Sequence, residues 1–284
     1  GFTVYFELRI MEALYGKERA NMLALIGRQD LDDELESLKD SPNDTKLKLD
    51  LKGRNPDDGM NSIAYDKGYL FLRTLEEKVG RKKMDAFLKA YFKKNAFSTT
   101  NTEDFNTYLN TNLLENNNIS FNTEEWIYKP GVPDNAAIIQ SDAFTSVEKS
   151  LQTFIDTKEI NASTTNEWTP QEWVHFVRNF PRDMKVEQMQ QLDDTFNFTA
   201  STNSYINMVW YEQSILNGYH GNKVDSKISE FLNTVGRRWY VTTLFKAFKK
   251  AARIDDGLTI YKTARANYHS VTANTIDELL GYKK

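Results

Sequence analysis

Residues 62–94 read SIAYDKGYLFLRTLEEKVGRKKMDAFLKAYFKK, and their apolar side chains recur mostly at the three- and four-residue intervals of a helix stripe. Gly80 separates the stretch into two periodic halves. The pattern predicts two helices with a short joint between them, over residues 62–79 and about 82–94.

The same periodicity appears on both sides of this stretch. Residues 3–26 predict a helix with a break near Gly16, and residues 102–114 predict a further helix. Residues 30–61 differ, because they are charged, poor in large apolar side chains and interrupted by proline and glycine. We expect that segment to be mostly loop.

The segment Lys129–Asp134 reads KPGVPD and marks a predicted domain boundary. Two prolines and a glycine in six positions stop a helix and form strands poorly. The sequence therefore predicts two domains, residues 1–130 and 134–284, and a chain of 284 residues is long enough for each to bury its own core.

Beyond the boundary, helical patterns alternate with short polar joints, as in an α-helical array. In the TPQE segment, Thr169 can cap a helix, the proline occupies the first helical position and Glu172 can reach back to the cap amide. Dipeptides that could turn a hairpin, such as Asn217-Gly218, adjoin helical rather than alternating patterns. The predicted fold class is all-α; without a clean fixed-period repeat, a solenoid is left open.

Composition and charge argue against several classes of function. A chain with 40% hydrophobic and 27% charged residues should fold, and its net charge of −4 leaves no basic face for nucleic acid. No apolar run approaches the length that crosses a bilayer, so we expect a soluble protein with no membrane partner. The lack of cysteine removes disulfides and thiolate chemistry but leaves the compartment open, whether cytoplasmic, periplasmic or secreted.

Motifs that carry chemistry are scarce. The 3 histidines, His175, His220 and His269, are far apart, and none belongs to an H-E-x-x-H pair, which places two zinc ligands on one helix face. We interpret each of them as structural. The sequence also lacks a G-x-S-x-G elbow, a phosphate-binding glycine loop and an EF-hand loop. Motif rules alone therefore give a helical protein without a catalytic signature.

Four segments, in order along the chain, resemble one family of enzymes. GFTVYFE at residues 1–7 is similar to the family segment N-E-G-[FH]-[TA]-x-Y-x-E, and IAYDKG at 63–68 is similar to x-x-Y-[ED]-K-G. GRRWYVTTLFK at 236–246 resembles G-R-x-K-F-x-x-x-L-[FY], and HSVTA at 269–273 resembles H-P-V-T-A. The family is that of the gluzincin zinc aminopeptidases, which includes aminopeptidase N and leukotriene A hydrolase. The last two segments resemble the leukotriene hydrolase branch.

The resemblance implies a fold and an activity. Residues 1–130 would be the helical remainder of a thermolysin-like catalytic domain, and residues 134–284 the family's C-terminal, armadillo/HEAT-like helical domain. Members of the family use a zinc-activated water to remove N-terminal residues from peptide substrates. The family's third zinc ligand directly precedes the glycine matched by Gly1, and its H-E-x-x-H lies farther upstream. The resemblance thus implies that the upstream part of the same polypeptide holds the zinc, and that this chain alone binds no metal and is inactive.

Two residues of the first region take their roles from this resemblance. The family's tyrosine at the position of Tyr65 stabilises the tetrahedral intermediate, as a phenol aimed at a developing oxyanion can. The alternative is an aromatic side chain that packs at a helix start. Glu7 matches a glutamate suited to orienting a ligand histidine, and the alternative is an ordinary charge on a helix face. We expect Tyr65 to open a helix beside the one that begins near Thr3, with its hydroxyl toward Gly1.

Two further residues are matched to substrate binding. Asp57 resembles a loop aspartate that shapes substrate binding in the leukotriene hydrolase branch. Its neighbour Met60 stands where that branch has a tyrosine. The alternative for Asp57 is a turn residue, because aspartate is common in turns after proline. Arg237 matches an arginine that receives the substrate carboxylate, and its alternative is a solvated arginine. Trp239 stands where the branch has a second cation, a lysine, and this departure weakens the case for carboxylate affinity and lipid-epoxide activity. We expect Arg237 on the same groove as Tyr65.

A different class of function is left open, a non-catalytic helical scaffold that binds a peptide or protein partner in a groove. A scaffold is expected to begin with a capped, soluble element, whereas this sequence opens with the apolar run Phe2–Phe6. We therefore expect a fragment of an aminopeptidase and keep the scaffold as the alternative.

Overall fold

A computed structural model describes three ranges of the chain, residues 1–59, 61–160 and 162–283. Within these ranges, side chains are described for all residues except Asp57, Asp58 and Asn222. The regular secondary structure of the described residues is helical, and no strand occurs among them. The predicted all-α class is confirmed. The chain divides into two compact units, Gly1–Ser141 and Asp142–Lys284.

The helices of the first unit follow the periodic stretches of the sequence. They are α1 (Phe2–Tyr15), α2 (Lys17–Ser37), α3 (Ile63–Val79), α4 (Arg81–Lys94), α5 (Thr102–Leu109) and α6 (Thr123–Tyr128). Gly16 and Gly80 end α1 and α3 with φ values of 87° and 82°, which side chains with a Cβ rarely adopt. The predicted breaks at these two glycines are confirmed.

The predicted loop over residues 30–61 is wrong in its first part, because α2 continues to Ser37. Leu31 is fully buried, and Leu35, one turn later, packs against the same core. Two apolar side chains spaced by four residues are sufficient to hold the helix on the core while its acidic residues face outward. The remainder of the segment is irregular, with short 3₁₀ turns at Pro42–Thr45 and Pro56–Gly59.

The core of the first unit is built on α3, which contacts α1, α2 and α4. Its buried side chains include Leu70, Phe71 and Leu75. The ring of Phe71 lies 5.6 Å from that of Trp126 in α6, which is itself fully buried. A helix buried on most of its circumference gives a rigid support to the residues at its first turn.

The division between the units falls later than the predicted boundary at Lys129–Asp134. Val132, Ala137 and Ile139 pack against the core of the first unit. The Ala137 amide also donates a hydrogen bond to the Thr74 hydroxyl at 3.0 Å. These contacts attach the extended segment after the proline-rich turn to the first unit, so that the division comes after Ser141.

The second unit is also helical throughout its described residues. Its helices are α7 (Asp142–Thr157), α8 (Ala162–Thr165), α9 (Pro170–Arg178), α10 (Val186–Phe196), α11 (Ser204–Leu216), α12 (Asn222–Thr234), α13 (Arg238–Lys250), α14 (Ile254–Ala264) and α15 (Ser270–Leu280). The predicted capping box is confirmed, since Thr169 and Glu172 exchange hydrogen bonds at the start of α9. Asn217-Gly218 directly follows the end of α11 and turns no hairpin.

Two histidines of the second unit have structural contacts. The ring of His175 is buried, stacks on Phe144 at 3.9 Å, and places Nε2 2.8 Å from a carboxylate oxygen of Glu148. The Nδ1 atom of His269 accepts a hydrogen bond from the Val271 amide at the start of α15. Among the described residues, no helix has both the length and the apolar character needed to cross a bilayer.

Candidate functional site at the first turn of α3

The starts of α1 and α3 touch through their backbones. The Gly1 nitrogen donates a hydrogen bond to the Ala64 carbonyl at 2.7 Å. A Cβ added to Gly1 would lie 2.7 Å from the carbonyl carbon of Gly68, and one added to Gly68 would lie 2.8 Å from the Gly1 Cα. Because both clashes are with backbone, only glycine fits at these two positions. The contact fixes the start of α1 against the first turns of α3.

Tyr65 lies on the first turn of α3, next to this contact. Its side chain is 48% exposed, whereas Ile63 and Lys67 on the same turn are buried. The Tyr65 amide donates to the Ser62 carbonyl at 2.9 Å, which holds the residue in the helix. The helix of Tyr65 packs beside α1, as predicted, and the direction of the Tyr65 hydroxyl toward Gly1 stays a prediction. Its catalytic role stays a prediction.

Asp66, beside Tyr65, is a carboxyl group in an unfavourable place for a charge. Partial burial, followed by the nearby negative charge of Asp30, raises the pKa of Asp66 to about 7, against the opposing effect of the Gly1 nitrogen. A Cβ on Gly27 of α2 would lie 3.1 Å from Asp66 Oδ1, so the glycine leaves room for the carboxyl. Asp66 therefore keeps its proton to a much higher pH than an ordinary aspartate does.

Lys67, the next residue, is fully buried. Its Nζ donates hydrogen bonds to the backbone carbonyls of Thr45 and Lys129, both at 2.9 Å. Burial lowers the pKa of Lys67 to about 8, and no carboxylate of the described residues pairs with it. Sequence reasoning assigned no role to this lysine, although it belongs to the matched x-x-Y-[ED]-K-G segment.

A second buried charge holds α1 against α3 and α4 farther along. Glu76 is 5% exposed and accepts a hydrogen bond from the Tyr5 hydroxyl. Arg9 Nη1 lies 3.1 Å from Glu76 Oε2, and Arg81 Nη2 lies 3.0 Å from Glu76 Oε1. Burial and the adjacent carboxylate raise the pKa of Tyr5. These bonds fix the rotation of α1 about its axis, and no local pattern in the sequence predicts them.

The other candidates in the first unit are less constrained. Glu7 is exposed on α1 and has no hydrogen bond or ion pair among the described residues. Its orienting role stays a prediction. Asp57 lies in the turn Pro56–Gly59, but its side chain is outside the described part of the structure, and Met60 is outside it altogether.

Arg237 belongs to the second unit and precedes α13. Its guanidinium lies 4.7 Å from the ring centre of Tyr240 and 5.3 Å from that of Trp239. Arg237 Nη1 also approaches the Tyr240 hydroxyl at 3.2 Å. The ring of Trp239 in turn packs against Tyr205 at 5.1 Å. Aromatic neighbours thus hold an exposed arginine, and its place on a groove with Tyr65 stays a prediction.

The described side chains do not fit a zinc site. Among the described side chains, no group of three histidine, cysteine, aspartate or glutamate residues is arranged to hold a metal ion. A catalytic zinc needs three such protein ligands. No chemical step can therefore be assigned to a metal held by this chain.

Two families together match most of the chain. Residues 1–126 match the Peptidase family M1 domain, and residues 168–280 match the family described as Leukotriene A4 hydrolase, C-terminal. The chain is therefore similar to M1 peptidases over its first region and to leukotriene A4 hydrolases over its second. The M1 match covers the Gly1–Gly68 contact and Tyr65, and the leukotriene hydrolase match covers Arg237. The resemblance found in the sequence motifs is confirmed.

The relatives that match along this chain are aminopeptidases by name. Leucine aminopeptidase 2 of Ajellomyces capsulatus is 26% identical over 297 residues, covering 100% of this chain and 47% of that protein. Leucine aminopeptidase 2 of Coccidioides immitis is 25% identical over 295 residues with the same coverage. The chain therefore spans about half the length of these relatives.

Solved structures show the same fold. The structure of yeast LTA4 hydrolase in complex with bestatin matches with a TM-score of 0.83 and 24% identity, covering 98% of this chain and 49% of that one. Native leukotriene A4 hydrolase from Saccharomyces cerevisiae matches with a TM-score of 0.76 and 25% identity, covering 99% and 49%. The helical fold of this chain is thus one already seen in these leukotriene A4 hydrolase structures.

Proposed function

We propose that this chain is part of a zinc-dependent aminopeptidase that removes N-terminal residues from peptides, with Tyr65 donating a hydrogen bond to the oxyanion of the tetrahedral intermediate. The observation that carries the proposal is the place of Tyr65, 48% exposed on the first turn of α3 beside the start of α1. The match of residues 1–126 to the M1 peptidase domain and the names of the leucine aminopeptidase relatives support it.

The chemistry follows from the properties of a phenol. A tyrosine hydroxyl remains protonated at neutral pH and can donate a hydrogen bond throughout the reaction. When a nucleophile adds to the scissile carbonyl, negative charge develops on its oxygen and the bond from Tyr65 strengthens. An interaction that is stronger in the transition state than in the ground state accelerates the reaction.

Zinc belongs to this proposal through the rest of the polypeptide. Because the described residues do not supply a set of metal ligands, the zinc of the intact parent would be held by the upstream part of the same polypeptide. When bound, the metal supplies the activated water. We expect this chain alone to be inactive.

An exposed apolar stripe on α1 supports an upstream partner segment. Phe6, Ile10 and Leu14 are spaced by four residues on one face of α1 and are 37%, 57% and 67% exposed. Phe92 of α4 extends the stripe, with its ring 5.7 Å from that of Phe6. Since the chain spans 47% of leucine aminopeptidase 2 from Ajellomyces capsulatus, we propose that the upstream half of the same polypeptide covers the stripe.

The remaining candidate residues have supporting roles in the proposal. Glu7 orients a ligand of the upstream metal site, and Asp57 shapes the substrate loop. Arg237 receives the carboxylate of short peptides, as the fork of a guanidinium suits. Its aromatic neighbours, Trp239 and Tyr240, keep the guanidinium in place in the absence of a second cation.

The test compares the intact zinc-loaded polypeptide with this chain alone. Both are assayed for hydrolysis of aminoacyl reporters and short peptides, with and without a chelator. We expect only the intact polypeptide to hydrolyse these substrates, and we expect the chelator to abolish its activity. An intact polypeptide that binds peptides or a protein through the α1 stripe without hydrolysing them would favour the scaffold alternative and refute the proposal.

A further inference from the structure

Lys67 carries its positive charge in an unusual environment. Its side chain is fully buried, and its ammonium group is bonded to the carbonyl oxygens of Thr45 and Lys129 rather than to a carboxylate. A buried ammonium without a counter-ion loses its hydration and regains only part of that free energy from neutral acceptors. An apolar side chain of similar size would fill the same space at less cost.

The two carbonyls belong to segments that are far apart in sequence. Thr45 ends the 3₁₀ turn Pro42–Thr45, and Lys129 follows α6. The same two segments are joined again by the Gly131 amide, which donates to the Thr45 hydroxyl at 2.8 Å. Lys67 is thus one residue of α3 that bonds to both segments.

This attachment lies within one helical turn of Tyr65. Lys67 is two residues later on the same helix, and the next residue, Gly68, is the one that touches Gly1. The segment held at Thr45 continues through Asn61, whose side-chain oxygen accepts from the Ile63 amide at the start of α3. The first turn of α3 is therefore held from its inner side by Lys67 and from its amino end by Asn61.

We propose that Lys67 is a positioning residue, whose buried ammonium ties the Thr45 and Lys129 segments to α3 and thereby fixes the first helical turn that presents Tyr65. This inference deepens the proposed function, since its catalytic part rests on the role of Tyr65 there. Lys67 touches no substrate and acts only through the placement of the tyrosine.

The first experiment uses this chain and needs no activity. The variants are Lys67→Met, Lys67→Gln and, as the matched control, Lys78→Met, which changes an exposed lysine on the same helix. NMR with ring-labelled tyrosine follows the Tyr65 signal, assigned with Tyr65→Phe, and hydrogen exchange follows the Gly131 amide. Lys67→Met should shift the Tyr65 signal and speed Gly131 exchange by about tenfold or more, whereas Lys78→Met should change neither.

A chemical rescue separates the charge from the packing. The chain has no cysteine, so Lys67→Cys, unfolded, alkylated with 2-bromoethylamine and refolded, carries a thioether analogue of lysine at that one position. Methylthiolation of the same variant gives a neutral matched control. The aminoethylated form should recover the wild-type Tyr65 signal and the neutral form should not. Equal behaviour of the two forms, or an unchanged Tyr65 signal in folded Lys67→Gln, overturns the proposal.

The second experiment uses the intact zinc-loaded polypeptide and a double-mutant cycle. If Lys67 acts through Tyr65, Lys67→Met should lower kcat by about tenfold or more with little change in KM. In the Tyr65→Phe background the same change should cost less than about twofold. Equal losses of kcat in both backgrounds overturn the positioning role of Lys67. An intact wild type without any turnover overturns the proposed function, and the NMR experiment then decides whether Lys67 positions Tyr65.

Discussion

Replacing Asp66 with asparagine should stabilise the fold at alkaline pH and not at acidic pH. Burial beside Asp30 raises the pKa of Asp66 from 3.8 to about 7 in the folded chain. At about 1.4 kcal/mol per pKa unit this displacement corresponds to roughly 4 kcal/mol, and because the carboxyl is only partly buried, screening by solvent reduces the expected effect to about 2 kcal/mol.

The sign follows from proton binding. Between these two pKa values the folded chain holds the Asp66 proton more tightly than the unfolded chain, so the contribution of Asp66 to the free energy of unfolding falls as the pH rises. Asparagine has no proton to lose. Asp66→Asn should therefore match the wild type at about pH 4 and exceed its free energy of unfolding by about 2 kcal/mol at about pH 8.

Urea unfolding of the chain, followed by circular dichroism at several pH values, measures this difference. Asp32→Asn is the control, because Asp32 is exposed and paired on the surface with Arg28; its effect should stay within about 0.5 kcal/mol at every pH. If the difference in free energy of unfolding between Asp66→Asn and the wild type is independent of pH, or if the variant is less stable at alkaline pH, the pKa of Asp66 is not raised in the folded chain.

Three further changes test other contacts. Gly68→Ala should cost about 1–3 kcal/mol in urea unfolding, because its Cβ would lie 2.8 Å from the Gly1 Cα; an unchanged midpoint would contradict the close approach. Glu76→Gln should cost about 1–3 kcal/mol by removing the buried carboxylate that pairs with Arg9 and Arg81, although Asp85 and Glu12 still pair with these arginines; the exposed Glu77→Gln should cost under about 0.5 kcal/mol. In the intact polypeptide, Arg237→Ala should raise KM for short peptides with a free carboxylate by about tenfold and leave their amidated forms unchanged; equal effects on both would exclude carboxylate recognition.

The helices of the first unit were predictable where the signal was local. Glycines 16 and 80 interrupt strong apolar periodicity, and the structure ends a helix at each. The second half of α2 was missed because its sequence is dominated by acidic residues. Its attachment to the core depends on Leu31 and Leu35, too few apolar positions to form a recognisable stripe.

The site was predictable only through its motif. Tyr65 was found because a family segment contains it, whereas periodicity alone would have made it one more aromatic residue on a helix. Lys67 and Glu76 were missed for the opposite reason, because helix patterns place charged residues on the exposed face. The hydrogen-bond partner of Lys67 is 22 positions away in the sequence, and that of Glu76 is 71 positions away. Long-range pairing of this kind leaves no mark on local sequence.

The kinetics of Tyr65→Phe in the intact, zinc-loaded polypeptide are the most direct test of whether Tyr65 donates a hydrogen bond to the oxyanion. Tyr15→Phe, which removes the hydroxyl of another exposed tyrosine of the first unit, is the matched control. We expect Tyr65→Phe to lower kcat for an aminoacyl reporter by about 10²–10³, with KM little changed and Tyr15→Phe indistinguishable from wild type. A wild-type kcat in Tyr65→Phe, or a loss confined to KM, would contradict the role of Tyr65 in stabilising the oxyanion.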